Sequence, residues 1–324
     1  MIENTPLANT IEAADLKTRY DNASKNLTAQ KPILAWIMKE CITEFKNVSI
    51  DDIQHKCING EPTVAKIGVL PDTTNLPTAQ IQNTELNSIK EGKITFDILV
   101  YAITPTKKPI KLIINVETQN KSKLEYPIIK RAIYYCSRMI SAQHGSEFIS
   151  QEYQKIKKVY SIWLCNNPSL KYRNTITRYK IQEEQILGNY KNKQANYELL
   201  EVIIVNLTKA NQAKNNNIIK LMSVIFSDII KAEAKKKILQ EDFGIQMTNK
   251  IESEVTEMCN LSDSIEERGR KKGKKEGKKE GVDMTRIEII KKLMKKYNQS
   301  LEEALDFMDL TEKEKKHYRH ILTA

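Results

Sequence analysis

A chain of 324 residues with 40% hydrophobic residues can bury a large core, which excludes a protein disordered throughout and leaves room for one enzymatic domain with an appendage or two modest domains. A formal net charge of +11, from 52 basic against 41 acidic side chains, points to a polyanionic partner, with nucleic acid ahead of a membrane surface. The five cysteines, Cys41, Cys57, Cys136, Cys165 and Cys259, make no CxxC pair and no Cys/His set at zinc spacing, so they read as reduced thiols of a cytoplasmic protein. Met1 to Thr10 lack a basic stretch followed by an apolar one, and no apolar run is long enough to span a bilayer, so neither export nor a membrane partner is expected.

Residues 1–30 read as a lead segment. From Lys31 to Lys46 the apolar residues Ile33, Leu34, Ile37, Met38, Cys41, Ile42 and Phe45 recur at three- and four-residue intervals, the stripe of a helix. Pro32 falls in its first turn, and Glu40 and Glu44 sit one turn apart on a shared face. Asp51 to Cys57 reads as a short helix and Thr63 to Leu70 as a first strand, followed by a turn-rich loop from Pro71 to Gln82. Ile94 to Thr104 and Ile110 to Glu117 are β-branched and apolar runs around the break Pro105-Thr106-Lys107-Lys108-Pro109, the pattern of a β-hairpin. The second run is nearly all apolar and so belongs at the centre of a sheet covered on both faces.

Tyr126 to Ser141 has helical periodicity, Val159 to Cys165 and Leu199 to Leu207 are apolar strands, and the chain from Asn217 onward is helical in character. A strand, a crossover helix and a further strand imply an α/β core with a mixed or parallel sheet, over residues 31–210, followed by a helical extension over 211–264. Residues 265–283 hold a four-residue repeat of glycine and charge, Gly269-Arg270-Lys271-Lys272-Gly273 onward, with no apolar face; repeated glycine suggests a linker or a marginal helix. Residues 284–324 form a small helical segment, in which Ser300 caps a second helix with Glu303 in the capping-box position. These helices are the place where a homo-oligomer would form.

The chemistry lies in the hairpin. Asp97 interrupts the apolar run Phe96-Asp97-Ile98-Leu99-Val100, and Glu117 ends the covered strand, where an ionised group is unwelcome unless it is paired or binds a metal. Two acids on adjacent strands repel, and a cation reconciles them. Mg²⁺, with Mn²⁺ or another divalent ion as substitute, takes hard oxygen ligands and activates water for phosphodiester hydrolysis. Glu117 and Gln119 share one face of their strand, with the Thr118 carbonyl between them as a further possible ligand.

An acid in a strand, a hairpin, and acid-x-Gln ending the next strand resemble the PD-(D/E)XK nuclease superfamily, and within it the Rpn-type transposase or recombination-promoting nuclease group. The stretches Leu34-Ala35-Trp36-Ile37, Thr43-Glu44-Phe45-Lys46, Ile113-Ile114-Asn115-Val116-Glu117, Arg131-Ala132-Ile133-Tyr134-Tyr135 and Ile156 to Trp163 carry the same resemblance. It implies a restriction-endonuclease-like core, a central mixed sheet flanked by helices, acting as a Mg²⁺-dependent DNA endonuclease in recombination or transposition. It also implies that Asp97 and Glu117 bind the metal, that Gln119 stands at the superfamily's lysine position, and that Glu44, with Glu40 as its competitor, is the acid of the first core helix. The alternative is a DNA-binding protein that keeps the fold without the activity. Arg131, Tyr134, Arg138, Lys157 and Lys158 are candidate nucleic-acid contacts; a half-buried aromatic helix face explains the tyrosine equally well, and a solvated turn is the more frequent explanation for the two lysines. Trp36 and Trp163 read as core residues.

Overall fold

A computed structural model describes residues 6–68, 95–105, 111–119, 125–213 and 216–323. The loop expected at 71–82 and most of the hairpin turn lie outside these residues. Six strands form one sheet in the order β1-β2-β3-β4-β6-β5. β1 (Ile58–Gly68), β2 (Thr95–Ile103) and β3 (Lys111–Gln119) are antiparallel neighbours. β4 (Val159–Cys165) runs parallel to β3, and β6 (Leu200–Asn206) parallel to β4. β5 (Thr175–Lys180) closes the edge antiparallel to β6.

The parallel strands lie at the centre because both of their faces are covered. All of β4 is buried, with Tyr160, Ile162 and Leu164 in one apolar cluster and Val159, Trp163 and Cys165 in another on the opposite face. α4 (Ile128–Ser141) joins β3 to β4 and covers the second face through Ala132, Tyr135, Cys136 and Met139. The first face is covered by α1 (Pro6–Thr28), α2 (Lys31–Cys41), α5 (Asn217–Ile225), α6 (Ala232–Phe243) and the first turns of α7 (Asn249–Tyr297).

α1 is a helix where the sequence suggested only a lead segment. Leu16, Tyr20, Ala23 and Leu27, at three- and four-residue spacing, all pack into the first-face core. The helix from Lys31 is shorter than expected. It stops at Cys41, Ile42 turns extended at φ −107°, and Thr43–Phe45 make one 3-10 turn. That break lets Ile42 and Phe45 both reach the core. Asp51 to Cys57 holds the single turn α3 (Ile50–Asp52) and a widened turn over Ile53–Cys57. β5 escaped the sequence reading because every residue in it is exposed, so it shows no apolar alternation.

α6 ends on Gly244 at φ 64°, a left-handed cap that a side chain would strain. Because α5, α6 and the start of α7 share the sheet's core, no break in packing falls at residue 210. The chain divides instead into two compact units, Met1–Ser262 and Asp263–Ala324. The glycine and lysine repeat is helical within α7, with Lys271 paired to Glu267 at 2.7 Å.

In the second unit, Ile290, Ala304, Leu305, Leu310 and Tyr318 make a small core among α7, α8 (Leu301–Phe307) and α9 (Glu312–Thr323). The expected capping box is present: Glu303 N–H donates to Ser300 Oγ at 3.3 Å and Ser300 N–H to Glu303 Oε2 at 2.7 Å. Ser300→Ala should cost about 1 kcal/mol of local stability, read as faster hydrogen exchange at the α8 amides of the full chain. Unchanged exchange there would remove the cap from the account. Among the described residues, no helix is long and apolar enough to cross a membrane.

Candidate active site

Asp97 and Glu117 meet where the β2–β3 ladder ends. The regular pairing runs from Ile103 opposite Lys111 to Ile98 opposite Val116 and stops there. Beyond it, side chains replace backbone partners: Asp97 N–H donates to Glu117 Oε1 at 3.1 Å, and Thr118 N–H donates to Asp97 Oδ2 at 3.1 Å. Each acid is thus fixed by the other strand's backbone. Phe96 and Leu99 both pack on the α4 face although three residues apart, so the pleat is broken between them. That break turns Asp97 toward α1, where Lys25 Nζ lies 2.8 Å from Asp97 Oδ1. Lys25 is held on its other side by Asp21 at 2.6 Å, one helical turn earlier.

Glu117 sits opposite Trp163 in the β3–β4 ladder and is 3% exposed. Burial above all, and then the Asp97 carboxylate, push its carboxyl well above the usual range, to about 8; the Asp97 amide, Arg131 and Asn115 pull the other way. Alternation puts Asn115, Glu117 and Gln119 in one row on the α4 face, and all three are buried. Asn115 Nδ2 donates to Ser161 Oγ at 3.4 Å, and Trp163 Nε1 donates to the same oxygen at 2.9 Å. Above this row lies Arg131. It donates to Tyr135 Oη at 2.6 Å and Tyr126 Oη at 3.1 Å, with its guanidinium 5.2 Å from the centre of the Trp163 ring.

The structure therefore gathers Asp97, Glu117, Gln119 and Arg131, and leaves Glu44 elsewhere. Glu44 accepts from Tyr160 Oη at 2.5 Å and Lys158 Nζ at 3.2 Å. Tyr160 projects from the opposite face of β4 to Trp163, so Glu44 and Glu117 lie on opposite faces of the sheet. The side of the sheet that α2 covers is the physical reason: α2 packs on the face opposite α4, and the break at Ile42 only changes where on that side Glu44 falls. Glu40 is no substitute: it is half-buried on that same side of the sheet, with Asn217 Nδ2 at 3.3 Å.

Lys158 is spent on Glu44, Glu198 and Glu201. Lys157 is tied through its backbone to the Gln143 side chain. Arg138 is buried beneath Tyr134, to whose hydroxyl it donates at 3.2 Å, while Tyr134 itself is exposed. The sequence reading missed Lys25, Asp21 and Asn115. The stripe of Leu16, Tyr20, Ala23 and Leu27, with Asp21 and Lys25 one turn apart beside it, was the available signal for the first two.

The donor set suits a hard divalent ion. Among the described residues no group of three or more His, Cys, Asp or Glu forms a metal cage. Mg²⁺ does not need one, since it binds through one or two carboxylates and keeps water and phosphate oxygens as its remaining ligands. Two fixed carboxylates, one of them with a pKa raised by burial and by its neighbour, fit that requirement.

The sequence model for PD-(D/E)XK nuclease family transposases matches residues 69–277, more than half of the chain, and so covers both acids and Gln119. No curated protein and no solved structure matches the chain.

Proposed function

We propose that this chain, which belongs to the PD-(D/E)XK nuclease family transposases, is a divalent-metal-dependent endodeoxyribonuclease with Asp97 and Glu117 as its metal ligands. The observation that carries the reading is the reciprocal lock between the two acids, in which each carboxylate is aimed by the other strand's N–H. Such a lock holds the Asp97 carboxylate against the buried Glu117 carboxyl, and a cation is what lets both stay ionised side by side.

A bound Mg²⁺ supplies Lewis acidity and lowers the pKa of a water. The chain's own residues do the rest. Ionised Glu117 accepts a hydrogen bond from the attacking water, and Gln119, next in the same row, orients it through its amide. Arg131, seated over Trp163, offers positive charge to the phosphate. The strand cut leaves one new phosphate end and one hydroxyl. Recombination or transposition is the setting in which such a cut would act.

The test is nicking of supercoiled plasmid by purified full-length protein in Mg²⁺. Wild type should convert the plasmid, and the Asp97→Ala/Glu117→Ala protein should lose at least about 10³-fold of the rate, the scale expected when the charge-stabilising group of a site is removed. Equal cutting by the double variant would reject the site. Salt-dependent DNA binding without cutting in Mg²⁺ or Mn²⁺ would support an inactive binder instead, the reading favoured by Gln119 standing where lysine is usual.

A further inference from the structure

We propose that Lys25 is the resident cation of Asp97: its ammonium occupies the place a divalent ion needs, yields it on metal loading, and then serves the phosphate from its tether on Asp21. This rests on the metal-site reading above. Both Asp97 oxygens are engaged in the structure, Oδ2 by the Thr118 N–H and Oδ1 by Lys25 Nζ. A backbone bond within the sheet is not readily given up, so the exchangeable partner is Lys25. A metal that takes Oδ1 must compete with an ammonium 2.8 Å away in a setting where the Lys25 and Asp97 side chains are 20% and 18% exposed, well short of bulk-water screening.

The displaced ammonium has somewhere to go. Asp21 holds it at 2.6 Å from one turn back along α1 and is itself the more exposed partner, at 38%. Lys25 can lean toward Asp21 while its flexible stem keeps the charge close to Asp97. The site then holds an ammonium beside its carboxylates although its own strand ends in Gln119, which carries no charge. Lysine suits this double duty better than arginine, being a compact charge on a rotatable stem rather than a planar fork.

The opposing carboxylates make the effects of two variants differ in sign. Lys25→Met removes the competitor, so Mn²⁺ should bind about tenfold more tightly, while nicking at saturating metal should slow by about tenfold or more. Asp21→Asn leaves Asp97 as the only acid for Lys25, so Mn²⁺ should bind several-fold more weakly. Free Mn²⁺ would be counted by electron paramagnetic resonance without DNA, with Asp97→Asn as the variant that abolishes the site.

If Lys25→Met does not fold, Asp21→Asn alone decides the competition. Wild-type Mn²⁺ affinity in both variants would overturn the exchange, even while wild type binds metal and cuts. Tighter Mn²⁺ with an unchanged saturated rate would overturn the role at the phosphate. A wild-type protein that neither binds Mn²⁺ nor cuts would overturn the underlying metal-site reading, and this proposal with it.

Discussion

Glu117→Gln should give a protein that melts later than wild type at alkaline pH and no longer cuts DNA. The replacement is isosteric, so its side-chain oxygen can still accept from the Asp97 N–H, while the buried charge is gone. Its stability effect follows from the raised carboxyl, pushed to about 8 by burial and by Asp97. A folded state that holds this proton more tightly than the unfolded chain loses stability as pH climbs from the ordinary glutamate range through about 8. Above that window the ionised Glu117 costs about 2–4 kcal/mol, taking one pKa unit as about 1.4 kcal/mol and discounting for the shared interaction with Asp97. Thermal unfolding without metal should therefore match for the two proteins near pH 4, and favour Glu117→Gln increasingly from there to pH 9.

Mg²⁺ should reverse the order, because a ligand that binds only the folded protein stabilises it, and the variant has lost a ligating oxygen. The loss of nicking should reach about 10³-fold. A variant that still cuts, or that melts earlier at pH 9, would show that Glu117 is neither the ligand nor the strained charge. Stability given up for a reactive carboxylate is the ordinary trade at such a site.

The legibility of this protein divides by burial. Strands with two covered faces write themselves plainly as apolar runs, so β4 falls at Val159–Cys165, where the sequence placed it. The acids were legible for the complementary reason: Asp97 and Glu117 are charges set in those same runs. β5 is exposed throughout and α1 is polar along most of its length, so neither announces itself. The place of Glu44 was not legible, because a periodic stripe from Ile33 to Phe45 reveals neither which face of the sheet its helix covers nor that the backbone turns extended at Ile42. Nor does periodicity reveal a broken pleat. Strict alternation would have set Phe96 and Leu99 on opposite faces, whereas both pack under α4, and that departure is what aims Asp97 at Lys25. Where local pattern fails, at Ile42 and at Asp97, a long-range contact has decided the geometry.

Lys158→Met should be the most destabilising single change away from the acids, although sequence reasoning offered this lysine to DNA. Its ammonium lies 2.6 Å from Glu201, 3.2 Å from Glu44 and 3.3 Å from Glu198, with side-chain exposures of 12% for the lysine and 2% for Glu201. Burial works against its charge, and the Glu201 and Glu44 carboxylates outweigh that, so its pKa stands above the ordinary lysine value. Such a group stabilises the fold throughout the neutral range and loses its contribution only as pH rises past the ordinary lysine value.

Methionine keeps the packing of the stem but leaves three carboxylates converging, with Arg178 on Glu201, Lys180 on Glu198 and the Tyr160 hydroxyl on Glu44 as partial compensation. Removing one partner of a buried ionic group costs about 3–5 kcal/mol. DNA binding by the folded fraction should keep the wild-type salt dependence, since Lys158 neutralises no phosphate, whereas an exposed lysine in the DNA path would take about 0.9 off the logarithmic slope. A stable Lys158→Met protein with a reduced slope would instead return Lys158 to the DNA interface and leave the carboxylate cluster without its keystone.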